Sequence, residues 1–181
     1  LFQSVFDYPF LSSSANHIFD LTMGYSSNSP ISASSVAGYK QQKSKINIYN
    51  QMAQVLMGHD ADGNIREFDA DGDLTGGSKI RQCYFLNISR LLGKDEIKKG
   101  SFQIDLGVEP NYDKPFSASL SITDTNAETS YKTNSPAGEY GILKRGATNV
   151  GLLYYQAGVA VLTASVLEGA ASGFKFDAAG H

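Results

Sequence analysis

The densest acidic cluster in the sequence is HDADGNIREFDADGD, His59 to Asp73. Asp60, Asp62 and Asn64 are spaced like the first three ligands of a calcium loop, in which alternate residues turn their oxygens to one side. The match then departs. Ile65 stands where the sharp-turn Gly belongs, and the twelfth position is Asp71 rather than a bidentate Glu. In a second copy, Asp69, Asp71 and Asp73 are followed by Leu74 at the Gly place and Ile80 at the twelfth. These six residues are the candidate metal ligands, with calcium in some other loop geometry as the cofactor. The plainer reading makes Asp62-Gly63 and Asp71-Gly72 ordinary tight turns. A motif lacking its Gly and Glu favours that plainer reading.

Other chemistry has less support. A hydrolase triad needs a base beside its nucleophile. The histidines are His17 in a serine-rich stretch, His59 in the acidic loop and His181, and no G-x-S-x-G occurs. Cys83 lies in the apolar run QCYFLNI, which predicts an inert buried thiol. A lone cysteine also excludes an internal disulfide or a cysteine-based zinc site. A polysaccharide hydrolase needs two carboxylates flanking a cleft. Asp105, Glu109 and Asp113 fall near one loop, but nothing in their spacing singles them out. Leu74-Thr75-Gly76-Gly77-Ser78-Lys79 lacks the P-loop spacing and a preceding apolar strand. The expectation is a protein that is not an enzyme.

The elements that would position these residues follow from periodicity. Ile46, Tyr49, Met52, Ala53 and Leu56 recur at helical spacing, with Val55 widening the face. Ser44 is the expected N-cap and Gly58 the stop, giving one main helix near residues 45–57 whose start could lie several residues earlier. Beyond it the period becomes two. Phe102, Ile104, Leu106 and Val108 alternate with polar or small residues, as do Phe116, Ala118, Leu120 and Ile122. The intervening 109–115 segment, with two prolines and an Asn, predicts a hairpin loop. Further strands are expected at Cys83–Ser89, Tyr140–Lys144, Leu152–Gln156 and Val159–Ser165. The fold class is therefore α+β, a β-rich domain of antiparallel strands with one main helix.

Charge is scarce and unevenly spread. Only 18% of the 181 residues are charged, against roughly 25% in ordinary soluble domains. Residues 1–39 contain only Asp7 and Asp20 as charges, together with ten serines and aromatics such as Phe2, Phe6, Tyr8, Phe10, Phe19 and Tyr25. They read as a serine-rich arm lying on the fold or on a neighbouring subunit, ahead of a single β-rich domain over 40–181. The uncharged run Val150–Leu167 reaches the lower length of a membrane span. Its β-branched and aromatic content instead predicts two buried strands meeting near Ala157-Gly158. A net charge of −3 argues against nucleic-acid binding, and KDEIKK at 94–99 is a mixed-sign surface patch. Asn87-Ile88-Ser89 matches a glycosylation sequon, discounted because residues 1–11 do not read as a secretion signal.

Three stretches carry a resemblance: IYNQMAQVLMG (Ile48–Gly58), DGDLTGGSKIRQCYFLNISRLLGKDEIKKGSFQIDLG (Asp71–Gly107) and NSPAGEYGILKRGATNVGLLYYQAGVAVLTAS (Asn134–Ser165). Together they resemble segments of the large virion structural proteins of marine T4-like phages, particularly those infecting cyanobacteria. The resemblance implies a particle component in tail, baseplate or fibre, assembled in the host cytoplasm, with other virion proteins and further copies of itself as partners. It carries over no catalytic residue. The start at Leu1 rather than Met fits one domain of a longer protein. The alternative is a calcium- or glycan-binding β module using the Asp60–Asp73 loop.

Overall fold

Alternating apolar residues become strands here, and most of the strands join into one sheet. The computed structural model describes residues 2–7, 16–32, 42–88, 96–109 and 113–167. Lys94, Asp95, Ser89, His181 and the middle of the expected 109–115 loop lie outside them. The strands are β1 (Phe2–Asp7), β2 (Asn16–Tyr25), β3 (Phe68–Asp69), β4 (Lys79–Ile80), β5 (Gln82–Ile88), β6 (Gln103–Gly107), β7 (Ser119–Thr123), β8 (Tyr140–Arg145), β9 (Thr148–Tyr154) and β10 (Val159–Thr163). The helices are α1 (Gln42–Leu56) and the short α2 (Ala127–Ser130). Eight strands form a curled antiparallel sheet in the order β1-β2-β5-β10-β9-β8-β7-β6, while β3 and β4 pair separately. This is the α+β, β-rich architecture expected.

The uncharged run Val150–Leu167 becomes β9, a turn and β10, with Val159 facing Tyr154 across the hairpin. These strands lie in mid-sheet, and both their faces are buried. Leu153, Ala160 and Leu162 enter one apolar cluster with Tyr84 and Leu86, whereas Leu152, Tyr154, Val159 and Val161 enter a second with Cys83 and Phe85. A strand covered on both sides has no place for charge, which accounts for the composition of this run. No helix among the described residues is long and apolar enough to cross a membrane.

Helix α1 covers the second cluster. Tyr49, Ala53 and Leu56, spaced four and three residues apart, are buried together with Lys45. Val55 is 66% exposed and does not widen the face. The described helix already includes Gln42, so Ser44 is inside it rather than its N-cap. Its end is the expected one: Gly58 has φ +72°, and its N–H donates to the carbonyls of Ala53 and Gln54.

The hairpin of β6 and β7 keeps the expected register, Ile104 opposite Ile122 and Leu106 opposite Leu120. The second strand starts later than periodicity suggests. Pro115–Ser117 is a 3₁₀ turn, which leaves Phe116 64% exposed instead of facing the core. Proline pre-sets that tight turn and donates no ladder hydrogen bond. Within residues 1–39, Phe2–Asp7 and Asn16–Tyr25 are strands of the main sheet, with β2 pairing β5 from Phe19–Ile88 to Tyr25–Gln82.

Candidate functional site

The acidic segment folds as two turns. After Gly58 the chain doubles back, with His59 and Ile65 forming an isolated bridge. The Asp60 carboxylate accepts the backbone N–H of Asn64 at 2.8 Å and of Asp62 at 3.0 Å, and the Asn64 side-chain amide at 3.3 Å. These bonds, the Asn64 N–H foremost, hold Asp60 below its usual pKa against slight desolvation. Asp62 and Asn64 therefore belong to an Asx turn closed on Asp60, with Gly63 at φ +83°.

The second turn lies between β3 and β4. Asp69 Oδ1 accepts from Asp71 N–H, Asp71 Oδ1 from Asp73 N–H and Asp73 Oδ1 from Thr75 N–H, a run of successive Asx turns. One carboxylate oxygen from each of Asp69, Asp71 and Asp73 lies within 4.8 Å of the others. Asp69 is fully buried and paired with the Lys79 ammonium, so the cluster already contains one cation. Gly77, at φ +64°, passes close above: a Cβ there would stand 3.1 Å from Asp71 Oδ2. The turn is tied to the sheet by Asn149 donating to Ala70 O and Asn134 donating to Gly72 O. Tyr140 stands beneath it, its hydroxyl 2.7 Å from Asn134 Oδ1. Burial, with the nearby Asp69 carboxylate, pushes the Tyr140 phenol up to about 12.

The six candidate ligands thus divide into two groups. The structure gathers Asp69, Asp71 and Asp73, while Asp60, Asp62 and Asn64 form their own turn. Both turns border one cleft of about 600 Å³, within the size range of small-molecule sites. Its walls come from residues 26–28 after β2, Tyr49 and Asn50 of α1, the 60–67 turn, Leu74 and Lys79. Glu67 also lines it. Ser26 Oγ donates to its carboxylate at 2.6 Å, Asn28 Nδ2 at 3.1 Å and Arg81 Nε at 3.1 Å. Desolvation raises the Glu67 pKa, but these donors outweigh it and keep the group below its usual range.

Other candidate residues fall elsewhere. Cys83 is fully buried with its thiol pKa pushed well up by desolvation, as an inert thiol requires. His17 Nε2 is 2.8 Å from Asp20 Oδ1, on β2. Asp105 is exposed on β6 and accepts from Gln103. The carboxylate that reasoning from sequence missed is Asp124, fully buried just after β7. Oδ1 accepts Phe102 N–H at 2.9 Å, while Oδ2 accepts Gly100 N–H at 2.9 Å and the Tyr155 hydroxyl at 3.1 Å. Its only sequence signal is position, at the polar end of an alternating strand.

No family model, curated protein or solved structure matches this chain.

Proposed function

We propose that the chain is a non-enzymatic structural or assembly domain of a phage particle, located in the virion and joined to copies of itself and to other virion proteins. The observation that carries this reading is the sheet edge at β1, which no described strand covers. Among the described residues it pairs only with β2, and Phe2 is 70% and Phe6 47% exposed along it, beside Ile18 at 41% on β2. An edge strand offers unpaired backbone groups to another chain, and monomeric proteins usually blunt such edges with charge. Here the only charged residue of β1 is Asp7. The virion-protein likeness of Ile48–Gly58, Asp71–Gly107 and Asn134–Ser165 supports the same reading.

A second reading is favoured by one observation, the convergence of Asp69, Asp71 and Asp73. A calcium-binding β module would use these carboxylates, with the Lys79 ammonium displaced from Asp69. One experiment weighs both: light scattering and thermal melting of the full chain, each in calcium and in chelator. The assembly reading expects a concentration-dependent oligomer that Phe2→Ser with Phe6→Ser reduces towards monomer, regardless of calcium. A monomer at every concentration overturns it. A midpoint raised by millimolar calcium supports the second reading, since a ligand of the native state must stabilise it, and an unchanged midpoint removes it.

A further inference from the structure

The cleft between α1 and the two acidic turns presents an uneven set of hydrogen-bonding groups. Its carboxylates are committed: Asp60 to the Asn64 turn, Glu67 to Ser26, Asn28 and Arg81. Lys79 is committed to Asp69. Three polar side chains in the wall make no hydrogen bond among the described residues, the exposed Ser27 hydroxyl and two half-buried groups, Arg66 and Asn50. The Arg66 guanidinium feels Asp60 only at a distance. The Asn50 amide stands on α1. A guanidinium carries five donors in a planar fork matched to a carboxylate. A primary amide has two donors and an acceptor, the complement of a hydroxyl. At the rim, Asn28 and Asn64 each have one amide N–H anchored, which fixes the plane of the group.

Fixed amides around one free guanidinium, in a cleft of small-molecule size, define a ligand by its chemistry. It must bring one carboxylate for Arg66 and several hydroxyls for the amides. A phosphate ester fits less well, because Asp60 and Glu67 face the same space and Arg66 is the one uncommitted cation among the described residues of the wall. We infer that this cleft is a binding site for an acidic sugar unit, a uronic-acid-type hydroxycarboxylate, with Arg66 taking the carboxylate and Asn50 the hydroxyls. The inference goes beyond both readings above and stands whichever of them holds.

Backbone ¹H–¹⁵N spectra of the full-length chain, titrated at constant ionic strength with sodium D-glucuronate, D-glucose and sodium acetate, test it. Glucuronate, at concentrations on the order of 10 mM, is expected to give saturable shifts confined to residues 26–28, 49–50 and 60–67. Glucose and acetate should each bind at least roughly tenfold more weakly, as loss of a charge-assisted bond or of the hydroxyl contacts requires. Arg66→Gln should lower glucuronate affinity about tenfold and bring it to the level of glucose. Asn50→Leu should weaken both sugars. Unperturbed spectra of the unliganded variants outside the cleft establish that each is folded. Absence of saturable shifts in these segments with glucuronate overturns the proposal. So do equal responses to glucuronate and acetate, or an Arg66→Gln variant that binds as the parent does.

Discussion

Asp124 is a carboxylate removed from water and ringed by two backbone N–H groups and the Tyr155 hydroxyl. Such a group stabilises the fold because its donors would otherwise be buried without acceptors. Asp124→Ala leaves all three unsatisfied, and chemical denaturation should read a loss of about 3 kcal/mol. Asp124→Asn keeps an acceptor on one side but sets amide N–H against backbone N–H on the other, so its loss should fall between. A variant as stable as the parent would show that water or local shifts replace the carboxylate. The residue scale is also where sequence reading reached least far. Asp60 to Asp73 attract notice by density, and most of their hydrogen bonds are local, within four residues. Asp124 is isolated in sequence, and its donors come from 22 to 31 residues away. The cleft residues Asn28, Asn50 and Arg66 likewise become neighbours only through the fold.

Elements were more legible, because their period is local. Helix α1 and the strands β5 to β10 follow from apolar content and spacing, with errors at their ends: Pro115 delays the start of β7, and β9 begins at Thr148, four residues before the expected Leu152. The strands β1 and β2 were concealed by serine content: Phe19, Leu21, Met23 and Tyr25 do alternate, but the surrounding polar, uncharged composition reads as an arm. What brings α1 down onto β2 is Gly24. A Cβ added there would lie 2.9 Å from both Lys45 O and Tyr49 N, which are helix backbone and cannot rotate aside. Gly24→Ala must lift the helix from the sheet, at a cost of about 2 kcal/mol for overpacking, or roughly 6 °C in Tm for a chain of this size. Val55→Ala, on the exposed side of the same helix, should stay within about 0.5 kcal/mol. Equal melting of the two variants would mean that the contact yields without cost.

Across the whole molecule the polar interior is supplied largely by tyrosine. Tyr49 donates to Ile80 O, Tyr155 to Asp124 and Tyr140 to Asn134. Burial raises all three phenols above their free value of 10.0, with Asp124 adding to the effect at Tyr155. A phenol raised on folding contributes its full stability below pH 10 and loses it as pH climbs through the folded value. For Tyr140 that window runs from 10.0 to about 12. Melting temperature should therefore fall steeply above pH 10, and Tyr140→Phe should make the fall shallower while lowering stability by about 1 kcal/mol at neutral pH. A parent protein whose Tm is flat across that window would show these hydroxyls to be open to solvent.

The sheet order has a kinetic consequence. β10, the last of the described strands in chain order, is inserted between β5 and β9, which do not otherwise touch in the ladder. During synthesis the strands β1, β2 and β5 can assemble on one side and β6 to β9 on the other, each half with an open central edge. Only when Val159–Thr163 leaves the ribosome can the halves be joined. Among the described strands the closing contact of the sheet is thus the last made, and the interval before it arrives is when the two halves are most exposed to pairing with the wrong partner.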